Sequence, residues 1–147
     1  MNTWTYFFWL LRQASDGPLV MWPVTAILLL WLGFAGWKHF ISPGRTRPRG
    51  GWFLQIAPAC IPPTLLIFGA AFQCEHCTPP EWPDRVQHLW AIDVINGLTI
   101  VQIASSVVIV WIASGTRSLS AAIQTLFLWC SFWTGFISAM SISGDWL

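Results

Sequence analysis

Cys74-Glu75-His76-Cys77 is the one compact group of reactive side chains in this sequence. Two thiols two residues apart, with an imidazole between them, support three chemistries. They can close as a disulfide in an oxidising compartment. They can act as a redox-active dithiol, because this spacing lowers thiol pKa. Alternatively, Cys74, His76 and Cys77 together supply ligand types suited to a soft metal. A c-type haem attachment is excluded, since it needs His directly after the second Cys and Thr78 stands there.

Other polar groups are scattered through apolar stretches. Cys60 and Cys130 lie inside such stretches and read as small apolar residues; a membrane-embedded pair stays open if their segments are neighbours. Asp93 is an acid inside an apolar run. At mid-bilayer it would mark an ion or proton path, but it lies near the start of its run, which fits an interfacial acid. At about 100° per residue, His88, Thr99, Gln102 and Ser106 fall within roughly 60° of one another. This stripe should face protein rather than lipid, opposite Gln124 or its neighbours. Ser131, Gly135 and Ala139 repeat every four residues, a small-residue pattern that lets helices approach. His39 and His88 fall at opposite ends of their spans, so they cannot share a haem. His88 alone stays open as a ligand to a pigment or metal.

The elements that must position these groups follow from composition. The 147 residues are 55% hydrophobic and 9% charged, whereas about a quarter of a soluble domain is charged. A helix needs about 20 apolar residues to cross a bilayer, and four stretches qualify: about 18–40, 52–73, 86–114 and 118–142. The expected fold is an all-α integral membrane protein, one domain over 1–147 with four transmembrane helices in a bundle. Lys38, Arg45, Arg47 and Arg49 collect at the end of the first span and in the loop 41–51, and Arg117 falls in the third gap. The outer loop 74–87 and the two tails hold mostly acids. The excess of Lys and Arg in short loops marks the cytoplasmic side, which predicts N-out and C-out. Short loops and this insertion suit a bacterial inner membrane. Net charge of +1 leaves no basic face for nucleic acid.

Residues 1–17 place Trp4, Phe7, Phe8 and Leu11 at helical spacing, as an interfacial amphipathic helix does. The first span is expected to open at Gly17-Pro18, with Gly33 and Gly36 thinning its inner end. Pro58, Pro62 and Pro63 remove three backbone donors from the second span, which must bend or unwind. The third span, 29 residues if it begins at Val86, must tilt or project about two turns beyond the outer surface.

An outward Cys-x-x-Cys on a chain of four spans resembles the quinone-linked disulfide-forming membrane proteins. That resemblance implies thiol–disulfide exchange through Cys74 and Cys77, although the second outer cysteine pair of those proteins has no counterpart here. A soft-metal transporter that passes ions from Cys74, His76 and Cys77 to Cys60 and Cys130 is the other active reading. No catalytic constellation spans the four segments, and the twelve Trp exceed what two interfacial belts need. The leading expectation is therefore a small non-catalytic, structural or assembly subunit of a larger membrane complex, such as a respiratory or photosynthetic assembly. Lipid, quinone or pigment contacts would come with that role.

Overall fold

The computed structural model describes residues 3–41, 51–72, 89–113 and 115–143, and among these there is no strand. Helix α1 runs Thr3–Val20 and α2 runs Trp22–Ile41. The second hydrophobic segment is divided into α3 (Gly51–Ile56), a 3-10 turn (Ala57–Cys60) and α4 (Ile61–Ala71). Helices α5 (Leu89–Ile112) and α6 (Arg117–Ser143) complete the chain. Four segments are long and apolar enough to cross a membrane: Trp22–Ile41, Leu54–Ala71, Trp90–Ile112 and Arg117–Ser143. The protein thus has the make-up of an integral membrane protein.

The first span begins at Trp22, four residues later than the sequence suggests. Pro18 lies inside α1, while Pro23 takes the first-turn position of α2, where a missing N–H costs nothing. The helix cannot run through Pro23 unbroken, because its ring would press on the carbonyl one turn back. The break therefore falls at Met21. The Thr25 hydroxyl donates to the Pro18 carbonyl at 2.9 Å, and Trp129 Nε1 donates to Thr25 Oγ1 at 3.2 Å. A backbone acceptor at the break is in this way satisfied from α2 and tied to α6.

The prolines of the second span act as their chemistry requires. Ile61 N–H bonds the Pro58 carbonyl in the 3-10 manner, taking over an acceptor that Pro62 cannot serve. Cys60 O accepts from Thr64 Oγ1 at 2.8 Å. In the third span, α5 has 24 residues, about 36 Å of rise; residues 86–88 lie outside the described ones.

Helix α6 is the hub. It packs most extensively on α4 and α5, and less on α2 and α1. The turn between α5 and α6 is tight, with Thr116 N–H on Ala113 O at 3.0 Å, which makes the two helices antiparallel neighbours. Three small apolar cores result. Leu10 and Ala14 of α1 meet Leu66, Ala70 and Ile137; Leu65 meets Ala91, Ile95 and Ile142; Ala35 meets Leu119 and Ala122. Glycine is required at Gly69, where a Cβ would stand 2.6 Å from Ser138 Cβ, so α4 and α6 approach there almost backbone to backbone.

On α1 the face that packs differs from the face that reads as amphipathic. Leu10, Ala14 and Gly17 are buried, whereas Trp4, Phe8 and Leu11 remain exposed. Small residues let α1 sit close to α4 and α6, and a Cβ at Gly17 would fall on the Trp133 ring. Phe7 packs partly against the Leu10 core, while Trp4, Phe8 and Leu11 face outward.

Candidate functional site

The buried face of α6 is polar along its length: Ser120, Gln124, Ser131, Thr134, Ser138 and Ser141 are all buried. In hydrocarbon such groups must be satisfied within the protein, and most of them are. Gln124 Nε2 donates to Gln55 Oε1 at 2.8 Å. Gln55 Nε2 donates to Ser120 Oγ at 2.7 Å, and Ser106 Oγ donates to Gln124 Oε1 at 3.1 Å. These three bonds link α3, α5 and α6 around two glutamine amides. Gln55 occupies the last turn before the proline-containing 3-10 segment, so the interruption of the helix and the polar cluster share one level.

Farther along α6, the acceptors are backbone carbonyls. Ser138 Oγ donates to Leu65 O at 2.8 Å. Ser141 Oγ lies 2.9 Å from Gly69 O and 3.1 Å from the Tyr6 hydroxyl, which ties α1 to the same seam. Burial pushes the Tyr6 hydroxyl pKa above its ordinary value, and the Ser141 hydrogen bond pulls it back in part.

Of the stripe on α5, Ser106 joins the cluster through Gln124. Gln102 is fully buried, yet neither end of its amide meets a hydrogen-bonding group of the protein. Thr99 turns back to Ile95 O at 2.9 Å and lies near Gly135. Asn96 and Asp93 are exposed. In the small-residue row of α6, Ser131 and Gly135 are buried and Ala139 half-buried. Ser131 Oγ has no partner, and a Cβ at Gly135 would make only ordinary contacts, the nearest at 3.6 Å. A closer approach between helices is at Gly69 and Ser138.

Cys74, His76, Cys77 and His88 lie outside the described residues. Cys60 and Cys130 are free thiols, the first exposed and the second half-buried, although the 3-10 turn that ends in Cys60 touches α6, which carries Cys130. Among the described residues no three His, Cys, Asp or Glu side chains gather where a metal could be held. His39 sits at the end of α2 with its ring edge-on to Phe40, and its Nδ1 is shielded and unpaired.

Amides and hydroxyls exchange neither electrons nor net charge near neutral pH. The seam can therefore hold helices in register and hydrogen-bond a polar group. Gln55 and the Thr25–Trp129 pair are contributors that sequence periodicity did not single out, whereas Ser138 falls on nearly the same face as Gln124 and the small-residue row. The only signal for Gln55 and that pair is a hydrogen-bonding side chain within an apolar run. Searches of protein-family models, curated proteins and solved structures find no match to this chain.

Proposed function

We propose that this chain is a small non-catalytic transmembrane subunit of a larger membrane complex, an energy-converting respiratory or photosynthetic assembly being the setting its features fit. It lies in a bacterial inner membrane with both termini outside, as the basic residues at one end and the acids at the other indicate. One observation carries the reading. Ala35 is the only buried residue of α2, although α2 is a full-length span. Gly33 and Gly36 have nothing within 4 Å of where a Cβ would sit, and Trp22, Trp31, Phe34 and Trp37 are exposed around them. Small residues beside large aromatics form the kind of surface on which another membrane helix packs.

The seam supports the same reading, since its side chains position helices without offering reactive groups. Thiol–disulfide exchange with a quinone, or soft-metal transport, through Cys74 and Cys77 is the alternative, and no described residue favours it. Extraction from the native membrane in a mild detergent tests the proposal: the chain should migrate in a particle with other polypeptides. Migration alone, with electron transfer to quinone that Cys74→Ser abolishes, would establish the enzyme instead.

A further inference from the structure

We propose that the C-terminal end of α2 and the start of α6 form a headgroup site for an anionic phospholipid, one acyl chain of which lies in the groove between α5 and α6. This inference needs only that the chain spans a bilayer, and it is independent of the subunit reading.

A cavity of about 170 Å³ at this end is lined by Ala35, Lys38 and His39 of α2 and by residues 115–119 at the start of α6. Its cationic and hydroxyl groups are Lys38, Arg117, Thr116 and Ser118, and among the described residues no acid lines it. His39 Nδ1 is shielded and without a partner; it can present an N–H either as imidazolium or in one neutral tautomer. The first turn of α6 adds backbone N–H groups that have no acceptor within the helix, aligned with the positive end of its dipole. Two cationic side chains, an imidazole and a helix start, brought together from two helices, match a phosphate.

Arg117 also lines a second, larger space. A groove of about 470 Å³ between α5 and α6 runs from Arg117 past Val107, Val110 and Trp111 to Leu128. On the other side of Leu128, a groove of about 380 Å³ between α2 and α6 is walled by Val24, Leu28, Trp129 and Phe132. Both grooves share Thr125 and Leu128, so they flank one ridge of α6. Eleven residues separate Arg117 from Leu128, about 16 Å along a helix and about half of the 30 Å hydrocarbon core. The α5–α6 groove therefore reaches one leaflet deep from a cationic mouth, whereas the α2–α6 groove has no residue of that mouth and starts at Thr125, about 12 Å farther along α6. An apolar channel joined to a phosphate site through Arg117 fits an acyl chain of a phospholipid, and the charge at the mouth selects an anionic one.

The test is native mass spectrometry of the full chain, delipidated in detergent and titrated with phosphatidylglycerol, phosphatidylcholine or inorganic phosphate. Phosphatidylglycerol should be retained in preference to phosphatidylcholine, and millimolar phosphate should not displace it. Each cation removed should weaken retention about fivefold, so Lys38→Gln with Arg117→Gln should weaken it about 25-fold. Val107→Trp fills the α5–α6 groove from an exposed position, keeps every cation, and should also weaken retention. Circular dichroism confirms that each variant is folded before it is read. Equal binding of the two lipids, or undiminished retention by the double variant, would overturn the headgroup assignment. Undiminished retention by Val107→Trp would overturn the placement of the acyl chain. Displacement by inorganic phosphate would make this a site for the free ion and end the lipid proposal.

Discussion

Gln124→Leu and Gln102→Leu exchange the same side chains inside one membrane-spanning core, and the structure assigns them opposite outcomes. Gln124 makes two interhelical hydrogen bonds, to Gln55 and from Ser106. Such bonds inside bilayers average about 0.6 kcal/mol each, so their loss alone costs about 1.2 kcal/mol. Ser106 can turn back onto its own helix, but Gln55 Oε1 keeps no replacement, and a buried orphan acceptor costs about 1–3 kcal/mol. Gln124→Leu should therefore destabilise by about 1–3 kcal/mol. Gln102 is buried as deeply but makes no hydrogen bond with protein. Its replacement by Leu removes a desolvated amide and should be neutral or stabilising. Reversible unfolding in mixed micelles, followed by circular dichroism, measures both. A loss at Gln102→Leu equal to that at Gln124→Leu would refute the reasoning, because the Gln102 amide would then be bonded within the core.

Three further outcomes follow from the packing. Gly69→Ala places a Cβ against Ser138 and should cost about 1–3 kcal/mol by overpacking, whereas Gly135→Ala meets only ordinary contacts and should gain up to about 1 kcal/mol from helix propensity; the same unfolding assay separates them. Tyr6 has a folded-state pKa raised above its unfolded value, so its contribution is complete below about pH 10 and is lost as pH rises through the folded value. A spin label at Thr5 should become more mobile over that alkaline window, and Tyr6→Phe should remove the effect. Thr25→Val leaves the Pro18 carbonyl and the Trp129 indole N–H without their partner, and should destabilise by about 1–2 kcal/mol in a thermal melt.

How far the sequence reaches is seen best at particular residues. The four apolar segments are legible because bilayer thickness sets their length, and α6 departs from its expected bounds by a single residue at either end. The disruption of the second span is legible because Pro58 and Pro62 have no N–H to give. The start of the first span is not, since Pro18 and Pro23 both satisfy the rule for helix openings and only the bond from Thr25 to Pro18 O shows which one does. On α1, periodicity marks Trp4, Phe7, Phe8 and Leu11; of these Phe7 packs partly against the core, while the residues buried most deeply, Leu10, Ala14 and Gly17, lie on another face. Periodicity ranks faces by hydrophobicity, while helices in lipid select them by closeness of approach. The pairing of Gln124 with Gln55 depends on how α3 is rotated before the proline turn, and a single helix's periodicity carries no information about that rotation.

The role of α2 as the docking helix of a subunit is tested most directly by photo-crosslinking in the native membrane. A photoreactive residue is placed at Leu30 or Phe34 on the open face of α2, and at Ile100 on the exposed face of α5 as a control. Discrete protein adducts are expected from the α2 positions, and lipid adducts alone from Ile100. Lipid adducts alone from Leu30 and Phe34 would contradict that role.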